Sequence, residues 1–215
     1  MTVTDPDSWE TDEWGGHSIA TVLTQEHDRL QTLLTDALRS AGSPAVPPQT
    51  TPDDASSATP RQIADAFIAA MSRHLSVEEQ ELYPAARTAL PGGDQLIDAE
   101  IAADRDMLRV LSDLHSADPV ADEFTALLAR VEIQLQRHVL TAAEEIFPEL
   151  RRRLDRAQQV KLGNRVDIFA ESAPTRPHPG TPSKPPLNKV TDPAIGTVDK
   201  VRDVLSGRKT RPQDL

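Results

Sequence analysis

The chain has 215 residues, a net charge of −11 and no cysteine. Without thiols there are no disulfides, iron–sulfur clusters or thiolate zinc sites, so a bound metal must sit on His and carboxylate. The acidic balance argues against nucleic acid or anionic membrane as a partner of the whole surface.

Aromatics make up 3% of the chain, and alternating strand patterns are nearly missing, so the composition is all-α. No apolar run approaches the roughly 18 residues that a spanning helix needs. The opening MTVTDPDSWETDEWGG has neither a basic n-region nor an apolar h-region. The expectation is a soluble, cytoplasmic protein with no membrane partner.

Residues 1–16 read as a mobile arm that ends at Gly15-Gly16. Trp9 and Trp14 break its polarity; they either pack back onto the body or serve a partner. Residues 17–170 read as one helical bundle. Its first helix runs from His17 or Ser18, a plausible N-cap, to Ser40. Ile19, Val22, Leu23, Leu30, Leu33 and Leu34 form an apolar stripe at helical spacing, and His27 falls within it. Residues 42–58, GSPAVPPQTTPDDASSA, are a Pro/Ser/Thr-rich surface insertion.

The second helix opens with Thr59 as N-cap and Pro60 at its first position, and continues to about Leu90. His74 and Glu78 interrupt its apolar face, four residues apart and so one turn apart on the same side. Pro84 is expected to bend or break it near Ser76–Gln80, because the ring meets the carbonyl four residues back.

The third helix spans about Gly93 to His115. Apolar residues follow Asp104 at +3, +6 and +7 (Met107, Val110, Leu111), as they follow His27 (Leu30, Leu33, Leu34). Asp104 is therefore the counterpart of His27. Asp118-Pro119 reads as N-cap and first residue of a fourth helix. It carries Phe124, Leu128, Val131, Leu135, His138 and Ala142 inward, and passes a kink at Pro148 to reach about Phe169. Arg151-Arg152-Arg153 reads as a solvated, dipole-favoured terminus. His17, His115 and His178 read as structural or solvated.

From Glu171 the composition changes. Residues 171–215 hold eight prolines, eight Lys/Arg and five Asp/Glu, so this tail is +3 and the rest of the chain −14. It cannot continue as helix, apart from a possible short amphipathic helix over 197–207. It either lies along the acidic body or tethers a protein partner.

Two stretches share a frame. Arg73 to Pro84 is RHLSVEEQELYP, and Arg137 to Pro148 is RHVLTAAEEIFP; both run Arg, His, nine residues, then Pro preceded by an aromatic. Glu78 in the first is Ala142 in the second. Four long helices in up-down-up-down order pack as a four-helix bundle. His27, His74, Glu78, Asp104 and His138 then converge, and buried groups of this kind need partners. A metal is one answer, since imidazole and carboxylate together suit iron, manganese or zinc. His27, His74 and Glu78 make three ligands for one ion; Asp104 and His138 complete its shell or begin a second site. A metal-free ion-paired network, or access to solvent, are the other answers.

The pattern Glu26-His27-x2-Leu30, then His74-x3-Glu78-Glu79-x2-Leu82-Tyr83-Pro84, then His138-x9-Pro148 resembles the hemerythrin-like HHE cation-binding family, over about residues 17–153. The tail's PTRPHP and PPLNK resemble the C-terminal extension of bacterial, actinobacterial-type members. The resemblance implies a four-helix bundle binding non-haem iron, usually as a di-iron pair, with roles in dioxygen binding, in sensing iron, oxygen or nitric oxide, or in peroxide handling. By position, His27, His74, Glu78 and His138 match the family's ligands. Asp104 stands where the third helix normally gives His, and Ala142 where the fourth normally gives Glu.

The expectation is a partly degenerate site, holding a mononuclear iron or a weakened di-iron pair, with a small gas or peroxide as its ligand. A metal-free bundle acting as an interaction or regulatory module is the alternative. No motif identifies an enzyme substrate or a separate general base.

Overall fold

The computed structural model describes residues 15–42 and 58–170. The arm with Trp9 and Trp14, residues 43–57 of the Pro/Ser/Thr-rich insertion, and the tail with His178 lie outside the described residues. All regular elements among the described residues are helices.

Helix α1 (Ile19–Ala41) is started by Ser18, whose Oγ accepts from the Thr21 amide at 3.2 Å. Helix α2 (Pro60–Val77) opens with a capping box. The Gln62 amide donates to Thr59 Oγ1 at 3.2 Å, and the Thr59 amide to Gln62 Oε1 at 2.9 Å. These reciprocal bonds satisfy donors that the first turn leaves open. A π turn over Glu78–Leu82 leads without interruption into α3 (Tyr83–Ala89). Gly92, at φ +67°, reverses the chain into α4 (Gly93–Ser116). Helix α5 (Asp122–Thr141), a second π turn (Ala142–Ile146) and α6 (Phe147–Arg153) repeat the construction of the second rod, and α7 (Arg156–Ala170) follows.

Two apolar clusters fill the bundle, one above and one below a polar layer. The first gathers Leu23, Val77, Leu82, Ile97, Ile146 and Phe147; the second gathers Leu30, Phe67, Met71, Leu111, Phe124 and Leu128. Along α1 and α4 the chain meets the first cluster before the second, and along α2 and α5 the second before the first. The rods therefore alternate up, down, up, down. His27, His74, Glu78, Asp104 and His138 all fall at the passage between the clusters, and all are buried.

Three local expectations are corrected. The second rod does not break upstream of Pro84: the disruption there is the π turn over Glu78–Leu82, and a matching one precedes Pro148 in the fourth rod. Proline offers no amide hydrogen and its ring crowds the preceding turn; the chain accommodates this by widening, so that the Tyr83 amide bonds the Glu78 carbonyl and the Phe147 amide bonds that of Ala142. The fourth rod starts at Asp122, not Asp118, because Asp118 Oδ1 accepts from the Val120 amide at 3.0 Å and holds a turn instead. Nor is that rod continuous to Phe169. Leu154 is extended, and Asp155 and Gln158 form their own reciprocal cap, at 2.8 and 3.0 Å, which restarts the helix as α7.

Helix α7 packs across α1, α2 and the first π turn. The crossing is close: a Cβ on Gly163 would overlap the His17 carbonyl oxygen. Arg165 reaches Glu81 in the π turn at 2.6 Å. At the far end, Arg61 of α2 donates to the carbonyls of Leu114 and His115 at 3.0 Å each, and to that of Ala117, closing α4. Its guanidinium lies 5.3 Å from the centre of the Phe124 ring. His115 pairs with Asp65 at 3.0 Å and belongs to this end structure, as the sequence suggests. Among the described residues no helix is long and apolar enough to cross a membrane.

Candidate metal centre

The apolar stripe that carries Leu23 and Leu30 inward carries His27 with them. His74 lies in the last turn of α2, and Glu78 opens the π turn one helical turn later, so both reach the same point from one rod. His138 reaches it from the last turn of α5. Each of these four residues offers one ligand atom to a cluster in which all lie within 4.8 Å of one another.

The separations are short. His74 Nε2 is 3.0 Å from His27 Nε2 and 3.2 Å from His138 Nε2. Glu78 Oε1 is 3.4 Å from His74 Nε2 and 3.8 Å from His27 Nε2, while Oε2 is 3.2 Å from His138 Nε2. Donor atoms held about 2.0 Å from one shared tetrahedral ion lie ~3.3 Å apart, so this donor set fits a cation. Glu78 is fully buried, and its Oε1 makes no hydrogen bond. An orphaned carboxylate oxygen facing imidazole nitrogens is what a cation would satisfy. The rings meet edge to face, and His27 stacks against Phe147 with centroids 6.0 Å apart.

Without a cation the groups are held by one another. Burial lowers the basicity of His74, but Glu78 and Glu26 outweigh it and raise the ring to about 9. Burial also opposes charge on His138, yet Glu78 and Asp104 hold it well above the usual histidine range. Glu78 would be raised by burial; His138 and His74 instead keep it well below the ordinary carboxylate range. His27 goes the other way: burial and the neighbouring rings leave it at about 4, despite Glu78.

Asp104, the remaining expected site residue, stands behind His138. Its Oδ1 is 3.6 Å from His138 Nδ1, the ring nitrogen facing away from the cluster, and its Oδ2 accepts from the Tyr83 hydroxyl at 2.6 Å. The same hydroxyl is 3.3 Å from Glu78 Oε2. Burial, then Asp104 and Glu78, push the Tyr83 phenol well above its normal range, so it stays a donor. Ala142 is buried among apolar neighbours, and Glu144 and Glu145 are exposed.

Two contributors stand in the sequence pattern without a role that the sequence assigns. Glu26 accepts from His74 Nδ1 at 3.0 Å, but it sits beside His27 and off the apolar stripe. Tyr83 stands in the sequence only as the aromatic before Pro84; its rarity is the available signal, since the chain has a single tyrosine.

A helical bundle with a buried layer of three imidazoles and a carboxylate defines a class of cation-binding proteins. Residues 18–150 match the hemerythrin HHE cation binding domain, and the chain belongs to that family. It is 23% identical over 140 residues to an uncharacterized hemerythrin-like protein of Schizosaccharomyces pombe, covering 65% of this chain and 69% of that one. No solved structure gives a significant match.

Proposed function

We propose that the protein binds a single non-haem iron on His27, His74, Glu78 and His138, and serves an iron, redox or gas response in the cytoplasm. The observation that carries this reading is the convergence of the three Nε2 atoms and a fully buried carboxylate. The family's metal is non-haem iron, and three nitrogens with one carboxylate are compatible with it. Bound there, iron would supply Lewis acidity and an open position for a small ligand such as dioxygen, nitric oxide or peroxide.

The chain's own residues define the rest of the environment. Ala142 leaves the fourth rod without the carboxylate that a second ion would share, which favours one ion over a pair. Phe147, Leu23 and Leu30 keep bulk water from the layer. Tyr83 presents a hydroxyl to Glu78 and Asp104. Metal analysis after anaerobic reconstitution with ferrous iron at neutral pH tests the reading. About one iron per chain is expected for the wild type, and a loss of most of it in His74→Ala. A wild type that takes up no metal overturns it.

A metal-free regulatory bundle is the second reading. The ion pairs of Glu78 with His74 and His138, and of Glu26 with His74, support it, because they stabilise the layer without a cation. On that reading the melting temperature of purified protein is the same with and without chelator or added iron.

A further inference from the structure

Each imidazole of the centre has a second nitrogen that faces outward, and the three rings are held there in different ways. His74 Nδ1 meets Glu26 at 3.0 Å. His138 Nδ1 lies 3.6 Å from Asp104, an ion-pair distance with no hydrogen bond, and Tyr83 fixes Asp104 from the other side at 2.6 Å. His27 is held by packing against the Phe147 ring.

From this we infer that Glu26 and Asp104, the latter anchored by Tyr83, are positioning residues for a metal held on His74 and His138. The inference rests on the metal-centre reading above and extends it to residues that touch no ion themselves. The chemistry is that of tautomer and aim. Asp104 acts on His138 through its charge at 3.6 Å; Glu26, which accepts from His74 Nδ1–H, leaves the Nε2 lone pair of that ring pointed at the cluster and makes that nitrogen a stronger donor. It also stops the ring from turning about its Cβ–Cγ bond, which would swing Nε2 away from the common point.

The arrangement crosses the bundle in both halves. Glu26 is the neighbour of His27 on α1, so one helix supplies a ligand of its own and steadies the ligand of α2. Helix α4 supplies no imidazole, but through Asp104 it steadies the ligand of α5, and Tyr83 ties that pair to α3. Asp104 thus gives the third rod a part in the centre although no histidine stands there. Glu26 is the partly exposed member, with 27% of its side chain accessible, whereas Asp104 is almost fully buried. Substitution of Glu26 therefore disturbs packing least, and Tyr83→Phe removes the hydroxyl that anchors Asp104 while keeping the ring in place.

The experiment is cobalt(II) binding to the full chain, followed by the visible d–d absorption of the bound ion in competition with a chelator of known affinity. Apo melting temperature is recorded for every variant. Glu26→Ala is expected to weaken cobalt binding about 10- to 100-fold, the usual effect of losing such an outer partner. Glu26→Gln keeps an acceptor for Nδ1–H and is expected to recover most of that loss. Tyr83→Phe is expected to weaken binding several-fold and to change the d–d band shape, because the Asp104 charge behind His138 loses its anchor. A purely structural role would lower the melting temperature without the glutamine rescue or the band change, and that result overturns the inference. Wild-type binding with Glu26→Ala and Tyr83→Phe both within twofold of it overturns the inference alone. Failure of the wild type to bind cobalt or iron overturns the metal-centre reading and this inference together.

Discussion

Raising the pH from about 6.5 to about 9 is expected to destabilise the metal-free protein, and the sign follows from His74. The ring has an ordinary value of 6.5 and is raised to about 9 in the fold by Glu78 and Glu26 acting against burial. Its charged form is therefore the one the fold prefers. The stabilisation is complete below the unfolded value and disappears as pH climbs through the folded one. A rise from 6.5 to about 9 corresponds to about 3 kcal/mol at most. A large part of this disappears across the window, and His138 acts in the same direction.

His27 produces the opposite flank. Its value falls from 6.5 to about 4, chiefly through burial, so its stabilisation is present above 6.5 and is lost on acidification through 4. The chelated protein should be most stable at about pH 6–7. Urea denaturation in the presence of chelator, across this range, measures it. Glu78→Gln should flatten the alkaline limb by removing the main attraction on both rings. With metal present the limb should reverse, since an ion on the Nε2 atoms displaces their protons and binds better as pH rises. A chelated wild type as stable at pH 9 as at pH 6.5 would refute the reasoning, because it would mean that His74 is not held charged by its neighbours.

Three further outcomes follow from the packing. Arg61→Ala removes the donor to three carbonyls at the end of α4 and should cost about 1.5–3 kcal/mol in a chemical melt; Arg61→Lys should recover little of it, because a single ammonium cannot span the fan of acceptors. Gly163→Ala forces a methyl onto the His17 carbonyl and should cost about 1–3 kcal/mol, with loosening of α7 visible as faster amide exchange there. Leu111→Ala, in the cluster below the polar layer, should cost about 2–5 kcal/mol yet leave iron stoichiometry at neutral pH unchanged; a parallel loss of iron would mean that the layer depends on distant packing.

The rods were legible because period is a strong signal. Leu23, His27, Leu30 and Leu34 recur on one face, and the same logic places His74, Glu78, Asp104 and His138 in the interior. What periodicity cannot supply is which side chains meet across helices. Glu26 is adjacent to His27 but about 100° around the helix, and nothing local marks its partner on α2. Tyr83 and Asp104 are 21 residues apart and meet through the turn at Gly92.

The helix starts show the same limit. Asp118-Pro119 has the chemistry of a cap, yet the aspartate folds back on Val120. Asp155 and Gln158 do carry a cap spacing, but the apolar pattern runs on past Leu154 and hides it. Both prolines were visible, while their effect depended on whether the helix would break or widen. Packing on both sides of the polar layer favours widening, since it keeps the rod continuous.

The two π turns have a consequence for how such a chain can change. A π turn takes one additional residue into a helix, which resumes α geometry on either side. Each of the two rods is therefore divided into a ligand-bearing length, ending at Glu78 or Ala142, and a length led by an aromatic, beginning at Tyr83 or Phe147. A descendant that drops one residue between them can return to a regular helix without rotating either part against its neighbours. The site and the end of the bundle are thus joined by a segment that can take up or lose a residue, and this chain keeps the same spacing there in both motifs.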